Sequence, residues 1–309
     1  MKKNFNTTYS PFFSVVTIGT FDGVHIGHQK IIKKLTKTAK KKQLKSIVLT
    51  FFPHPRMVLQ KNANIQLLNT IEERKQILYN FGLDEIYIQE FTKEFSELSA
   101  EAFVKTLLVD TLNAKHIIIG YDHQFGKNRS AGIDDLKHFG KRFGFEVEEI
   151  PVQDIEDVAV SSTKIRNALN HGDITMANSY LGYSYFLTGT VVKGKGLGKQ
   201  INFPTANIVI EEDYKLIPKQ GVYVVKTIID DTGVFGMMNI GTNPTVNGKE
   251  QSIEVHLFDF NTDIYDAKIK VELLHRLRDE HHFESVDALQ KQLKKDKLHA
   301  LNFIMETND

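Results

Sequence analysis

Cysteine and tryptophan are both missing from the 309 residues of this chain. Without cysteine the protein has neither disulfides nor thiol chemistry. No apolar run approaches the ~18 residues that a membrane-spanning helix needs. Neither sign of charge is in clear excess, because 39 Lys and Arg residues face 38 Asp and Glu residues. Such a chain has no overall field that would gather nucleic acid, so any phosphate site must be local.

What the chain does contain is typical of a folded globular protein: 41% of its residues are hydrophobic and 25% are charged. Its length is sufficient for two domains, each with its own core. The two lysines after Met1 are not followed by an apolar segment. We therefore expect no signal peptide and a cytoplasmic location.

The first half of the chain is organised around a turn at Thr17–His28. An apolar run of strand type precedes it at residues 12–16, and helical spacing of apolar residues follows at 29–35. A helix that begins beside such a turn directs free backbone amides towards a ligand there, which suits phosphate. His25 and His28 can reach one small anion from the same side. Two alternatives remain open, namely idle exposed histidines or a metal site, although zinc needs three or four ligands.

A second buried strand is predicted at residues 46–52, and the prolines of Pro53-His54-Pro55-Arg56 predict an extended turn after it. A helix between two buried strands indicates a parallel β-α-β unit with a right-handed crossover. Ligands of such sheets bind beyond the carboxyl ends of the strands. The pattern also predicts helices at 71–80 and after Ser99, and strands at 85–88, 116–120 and, as an edge strand, 145–150.

Two later segments also suit a ligand of this sheet. The loop at residues 121–129 follows a predicted buried strand and carries acidic, aromatic and basic side chains. The segment at residues 160–169 reads as a helix start, where hydroxyls, free amides and Arg166 converge on one point. The alternative for the second segment is a simple capped helix with a surface arginine.

Beyond about residue 183 the pattern changes to closely spaced strands with few helices. Such spacing indicates an antiparallel barrel, followed here by a final helix at about 286–306. We therefore predict two domains, 1–183 and 184–309. The predicted barrel strands are 185–192, 207–210, 221–229, 235–240, 252–258 and 268–274.

The predicted barrel contains two candidate sites of its own. A loop with three alternate glycines and three lysines at residues 193–199 can wrap its amides around phosphates, although such loops are also common between strands. Thr205 and Asn207 are oxygen donors two residues apart, which suits Mg²⁺, unless they only form a turn that enters a strand. Glu254, near the middle of a strand, is either a general base for a hydroxyl or a solvated side chain.

These segments resemble known signatures. His25-Ile26-Gly27-His28 resembles the His-x-Gly-His signature of the nucleotidyltransferases, and Gly19–His25 resembles the bacterial FAD synthetases. Residues 161–166 resemble the second nucleotidyltransferase signature. Residues 204–207 and 253–257 resemble the two signatures of the riboflavin kinases, and residues 239–245 and 277–283 also fit them. In this order the motifs resemble the bifunctional riboflavin kinase/FAD synthetase family.

The resemblance implies an α/β nucleotidyltransferase domain with a Rossmann-like parallel sheet, followed by an antiparallel β-barrel kinase domain with a C-terminal helix. The implied activities are phosphorylation of riboflavin to FMN by ATP and adenylylation of FMN to FAD with release of pyrophosphate. The implied partners are ATP, riboflavin and FMN, with Mg²⁺ as the metal and flavin as substrate and product. Nucleic acid, a membrane and an obligate protein partner are not expected.

The resemblance also implies site residues. The catalytic residues would be His25, His28, Arg166 and Glu254. ATP in the first domain would contact Gly19, Thr20, Phe21, Asp22, Gly23, Ser161, Ser162 and Thr163. Flavin or adenine there would contact Pro53, His54, Pro55, Asp122, Phe125 and Arg129. ATP in the second domain would contact Gly194, Lys195, Gly196, Gly198 and Lys199, with the metal on Thr205 and Asn207 and flavin on Arg278.

Two positions depart from the family pattern. His123 stands where the family usually has phenylalanine, and Lys199 stands where arginine is common after the glycine loop. Lysine keeps the charge but lacks the bidentate fork of arginine.

Three other functions compete with this one. A transferase of the same fold can act on another phosphate acceptor, such as phosphopantetheine, but it would have no use for a kinase barrel. A flavin sensor would not need the complete catalytic set. Nucleic-acid binding is disfavoured by the neutral net charge.

Overall fold

The computed structural model describes residues 11–60, 65–120, 123–150, 160–194, 198, 201–245 and 248–308. The chain divides into two compact units, Met1–Ser162 and Thr163–Asp309. The strands are β1 (Ser14–Ile18), β2 (Lys45–Phe52), β3 (Glu85–Glu90), β4 (Ala114–Gly120), β5 (Glu146–Ile150), β6 (Phe186–Val192), β7 (Ala206–Val209), β8 (Gly221–Ile229), β9 (Thr232–Thr245), β10 (Gly248–Leu257) and β11 (Lys268–Arg278). The helices are α1 (Ile26–Lys42), α2 (Pro55–Leu59), α3 (Ile71–Asn80), α4 (Lys93–Ser96), α5 (Ala100–Phe103, continued by a π-helical segment Val104–Thr111), α6 (Ile133–Phe143), α7 (Ser162–His171), α8 (Ile174–Leu181) and α9 (Val286–Asn308).

The first unit is built on a five-stranded sheet of order β3-β2-β1-β4-β5. Every neighbouring pair is parallel. All five residues of β1 are buried, as expected for a central strand covered on both faces. The strand order reverses between β1 and β4, so the turn after β1 lies where doubly wound sheets bind ligands. The predicted α/β sheet and the edge position of β5 are confirmed.

One local prediction is wrong. The turn after β2 is extended only as far as His54, because Pro55 opens α2. Proline suits the first helical position, where its missing N–H would have no partner in the helix. The side chain of His54 caps this helix and accepts a hydrogen bond from the backbone N–H of Arg56 at 3.2 Å. Two prolines two positions apart therefore form a helix start rather than a longer extended turn.

The second unit contains a closed barrel of order β10-β7-β6-β11-β8-β9. All six pairings that close it are antiparallel, which confirms the predicted barrel. Strand β9 is longer than the predicted 235–240, because it pairs with β10 from Gly236 to Thr245. The C-terminal helix α9 packs Ala300 and Ile304 against Phe203, Phe258 and their neighbours on one barrel face.

Helices α7 and α8 also belong to the second unit, apart from Ser162, the first residue of α7. They pack against the barrel: the Asn178 side chain donates to the carbonyl of Leu273 at 2.9 Å and accepts from the N–H of Tyr185 at 2.7 Å. The predicted domain boundary at residue 183 stays a prediction.

Candidate active sites

Two imidazoles form one surface at the start of α1. His25 caps this helix, and its Nδ1 accepts from the backbone N–H of His28 at 3.4 Å. The rings stack with centroids 3.7 Å apart and planes 18° apart. The ring of Phe21 meets His28 edge-on at 5.0 Å. Because Nδ1 of His25 accepts, the proton of its neutral ring lies on Nε2 and can be donated to an anion.

Both imidazoles are poised to be neutral in the absence of an anion. Burial lowers the pKa of His25 to about 4. Burial also lowers the pKa of His28, and the nearby His25 and Arg74 lower it further. Nδ1 of His28 is buried and has no hydrogen-bond partner among the described residues. A phosphate bound here would raise both pKa values and give the imidazoles a charge to stabilise.

A buried ion pair between Asp22 and Arg74 stabilises the turn. The Asp22 carboxylate accepts from the N–H of Leu68 at 3.0 Å and from that of Asn69 at 3.4 Å. It also accepts from Nη2 of Arg74 at 3.4 Å, with side chains only 1% and 2% exposed. The turn places Phe21 and Val24 at φ values of +48° and +35°, which side chains rarely adopt, so the surrounding contacts must hold it. Asp22 thus supports the turn through its carboxylate.

Sequence reasoning missed Arg74. The available signal was its spacing, because it lies three residues after Ile71 and four before Leu78, on the buried face of α3. An arginine on such a face calls for a buried acidic partner, but the pattern does not say which acid it is.

Three further residues that are predicted to contact ATP form hydrogen bonds within the first unit. The Gly19 N–H donates to Leu49 at 3.0 Å, and a Cβ at Gly19 would lie 3.0 Å from the Phe21 ring. The Thr20 carbonyl accepts from the Thr50 hydroxyl at 3.2 Å. The Ser162 hydroxyl donates to the Asp22 carbonyl at 2.9 Å, which brings the first and second signatures together. Gly23 is buried in the turn, Ser161 is exposed, and Thr163 and Arg166 belong to the second unit.

The residues assigned to flavin or adenine differ in exposure. Pro53, His54 and Pro55 are half-buried after β2, whereas Arg129 is exposed in the loop after β4. Phe125 is only 6% exposed and packs in the core, with its ring 5.7 Å from that of Phe103. The ring of His123 stacks on Phe125 at 6.2 Å. Asp122 lies outside the described residues.

In the second unit the structure brings the predicted kinase residues together. The Thr205 hydroxyl donates to Oε2 of Glu254 at 3.1 Å. Glu254 on β10 lies directly opposite Asn207 on β7 and opposite Asn239 on β9. Residues directly opposite each other share a face of the sheet, so Glu254 faces the Thr205–Asn207 pair.

Two glycines of the 193–199 segment, Gly194 and Gly198, lie close to this pair. A Cβ at Gly194 would lie 2.0 Å from the side-chain nitrogen of Asn207. A Cβ at Gly198 would lie 2.2 Å from the carbonyl oxygen of Phe203 and 3.4 Å from the Thr205 hydroxyl. Only glycine permits such an approach. Lys195, Gly196 and Lys199 lie outside the described residues.

Arg278 is anchored by α9. Its Nε and Nη2 donate to the Asp296 carboxylate at 3.0 and 2.8 Å, and its Nη1 donates to the carbonyl of Asp279 at 2.9 Å. Asp296 is 1% exposed and also accepts from Gln292 at 2.8 Å. Sequence reasoning missed Asp296, although its position four residues before Ala300 placed it on the buried face of α9.

Comparisons with known proteins agree with this geometry. The FAD synthetase family model matches residues 10–164, and the riboflavin kinase family model matches residues 181–304. The bifunctional riboflavin kinase/FMN adenylyltransferase of Listeria monocytogenes is 39% identical over 96% of this chain and 94% of its own length. The enzyme of the same name from Bacillus subtilis is 37% identical over 94% and 92%.

A solved structure from Streptococcus pneumoniae, described as a macrolide-efflux protein, is 35% identical, covers 95% of each chain and has a TM-score of 0.85. Among the residues that the structure describes here, no helix is long and apolar enough to cross a membrane. The FAD synthetase model covers most of the first unit, the riboflavin kinase model covers most of the second, and the relative from Listeria monocytogenes spans both. The chain belongs to the bifunctional riboflavin kinase/FMN adenylyltransferase family.

Proposed function

We propose that each unit carries one of two reactions and that the residues described above perform them. The protein phosphorylates riboflavin to FMN with ATP and then adenylylates FMN to FAD, releasing pyrophosphate. The assignment of adenylylation to the first unit and of phosphorylation to the barrel is supported by the matches of the two family models to residues 10–164 and 181–304.

The contact that carries the kinase assignment is the one between Thr205 and Glu254 at 3.1 Å. It aims a carboxylate at the place where a metal–nucleotide complex would be held. Glu254 accepts the proton of the terminal ribityl hydroxyl as the oxygen of that hydroxyl attacks the γ-phosphate. The γ-phosphate bond to ADP breaks, and ADP leaves. Catalysis of such a transfer depends mostly on positioning and charge.

The residues at this site fit Mg²⁺, which the family uses with ATP. The Thr205 hydroxyl donates its proton to Glu254, so its lone pairs remain available to a cation. The Asn207 side chain adds an amide oxygen on the same face. When bound, Mg²⁺ would neutralise phosphate charge. No group of three His, Cys, Asp or Glu residues suited to a metal occurs in the described part of the chain, so we assign the ion to these neutral oxygens and to the phosphates.

The observation that supports adenylylation is the stacked pair of His25 and His28 at the N-terminus of α1. The FMN phosphate attacks the α-phosphate of ATP, and the bond to the leaving pyrophosphate breaks. The two imidazoles and, from family resemblance, Arg166 stabilise the charge that grows on pyrophosphate. A phosphate dianion is itself a nucleophile, so no covalent enzyme intermediate is needed. The backbone of residues 19–23 and the hydroxyls of 161–163 complete the proposed cradle.

The flavin contacts of the proposal come from the family resemblance. In the first unit we assign them to Pro53, His54, Pro55, Asp122 and the loop that contains Phe125 and Arg129. In the second unit Arg278 takes this role, supported by its fixed position on Asp296.

The purified chain, given riboflavin, ATP and Mg²⁺, should yield FMN first and FAD later when the flavins are separated by chromatography. A Glu254→Gln variant should make FAD only when FMN is supplied, and a His28→Ala variant should accumulate FMN. The opposite pattern would reverse the assignment of the two units, and unchanged products from both variants would remove both residues from the mechanism.

We further propose that the protein works in the cytoplasm, where ATP is available for both reactions. Neither reaction requires nucleic acid, a membrane or a second protein, so the proposal includes none of these.

A further inference from the structure

His256 lies in the kinase strand two residues after Glu254, and neither reaction proposed above uses it. Its side chain is on the same face of β10 as Glu254, because side chains alternate along a strand. It is 9% exposed, and its Nδ1 lies 2.8 Å from the carbonyl oxygen of Pro204. Pro204 is the residue immediately before Thr205.

The surroundings of this imidazole fix its position and proton. The rings of Phe203 and Phe258 meet it edge-on at 5.1 and 5.8 Å. A carbonyl oxygen can only accept, so the ring proton must lie on Nδ1. Burial lowers the pKa of His256, which keeps the ring neutral near pH 7. A neutral ring that donates through Nδ1 satisfies the Pro204 carbonyl without burying a charge on His256.

The Pro204 carbonyl lies two residues before β7 begins at Ala206. On the other side of that point Ala206 pairs with Val255, and Asn207 pairs with Glu254. Thr205 is therefore tied to β10 from both sides, by the ladder after it and by His256 before it.

We propose that His256 is a positioning residue of the kinase site, which holds the Pro204 carbonyl so that the Thr205 hydroxyl stays beside Glu254. This inference rests on the kinase role proposed for the second unit. His256 takes no part in proton transfer. Its removal should weaken binding of the Mg²⁺–nucleotide complex and leave riboflavin binding unchanged.

The test compares His256→Phe, which keeps a ring but loses the donor, with His256→Asn, whose side-chain nitrogen can replace Nδ1. We expect the phenylalanine variant to raise the KM for MgATP, and the Kd for Mg–ADP measured by calorimetry, about tenfold, the effect of one lost hydrogen bond. Asparagine should recover most of this loss. The KM for riboflavin should stay within about twofold, as expected if only this one hydrogen bond matters.

A matched control is His275→Phe, because the His275 ring stacks on Phe303 at 4.7 Å in the same unit. It should leave the KM for MgATP unchanged. Adenylylation of supplied FMN by the first unit should be the same in all variants, and any ADP bound there contributes equally to each titration. If the unaltered chain does not phosphorylate riboflavin, the kinase proposal itself is refuted. This result is distinguishable from a failure of the proposal for His256, which concerns only the variants.

Three results would overturn the inference. They are an unchanged KM for MgATP in His256→Phe, equal losses for both kinase substrates without rescue by asparagine, and a shifted pH profile at an unchanged KM. If the phenylalanine variant does not fold, the tautomer can be read in the unaltered chain from the ¹⁵N shifts of its histidine rings. An Nε2–H tautomer at His256 would exclude donation to Pro204 and refute the proposal.

Discussion

A methyl group added at Gly194 tests the kinase site most sharply. The Cβ of Gly194→Ala would lie 2.0 Å from the side-chain nitrogen and 2.7 Å from Cγ of Asn207. An ordinary contact begins at 3.4 Å, so one of the two groups must move by about 1.4 Å. If Asn207 moves, the proposed metal ligand is displaced. If Gly194 moves, the backbone that is proposed to contact ATP is displaced.

A misplacement of about 1 Å at a reacting centre costs about 10²-fold in rate. We therefore expect Gly194→Ala to lower kcat/KM for riboflavin phosphorylation about 10²-fold, or about 2.7 kcal/mol of barrier. The assay is initial FMN formation from riboflavin at saturating MgATP, with flavins separated by chromatography. Adenylylation of supplied FMN by the same preparation should be unchanged, which would show that the first unit is intact.

The matched control is Gly233→Ala, in strand β9 of the same barrel. A Cβ there would meet only the mobile end of Lys226, at 3.3 Å. This variant should phosphorylate riboflavin within about twofold of the parent, since surface substitutions of this kind change energies little. A Gly194→Ala variant as active as the control would refute a functional role for the close approach of Gly194 to Asn207.

Three further predictions concern Glu254, His25 and Asp296. Glu254→Gln removes the proton acceptor, and we expect a loss of at least about 10²-fold in FMN formation from riboflavin, with FAD formation from supplied FMN unchanged; FMN formation at the parent rate would remove Glu254 from this role. Burial lowers the pKa of His25 from 6.5 to about 4, so between these pH values the unfolded chain takes up a proton that the folded chain does not. The free energy of unfolding of the first unit should therefore fall by up to about 3 kcal/mol as the pH drops from 6.5 to 4. Urea denaturation of the parent and of His25→Gln should show that this pH dependence is lost in the variant. The same pH dependence in both proteins would contradict a lowered pKa of His25. Asp296→Ala leaves Arg278 without its buried partner and should lower the stability of the second unit by about 3 kcal/mol; an unchanged urea midpoint would show that the pair contributes nothing.

The elements that could be read from the residues are those with strong local patterns. Helix α3 and strand β8 have the predicted bounds, Ile71–Asn80 and Gly221–Ile229. Strand β1 of the first unit is buried along its whole length, and strand β6 of the barrel alternates between buried and half-buried residues from Leu187 onward. The turn at Pro55 was misread because proline stops an extended segment and starts a helix with equal ease. Only its neighbours decide which of these occurs.

Within the sites, the candidate groups were visible in the chain because their chemistry is local: two histidines at a helix start, an oxygen pair, an acid in a strand. Their environment was not visible. The burial of Asp22 against Arg74, the support of Arg278 by Asp296 and the link from His256 to Pro204 join residues 52, 18 and 52 positions apart. Hydrogen bonds and desolvation depend on what surrounds a group in space, and the folded backbone alone supplies those neighbours.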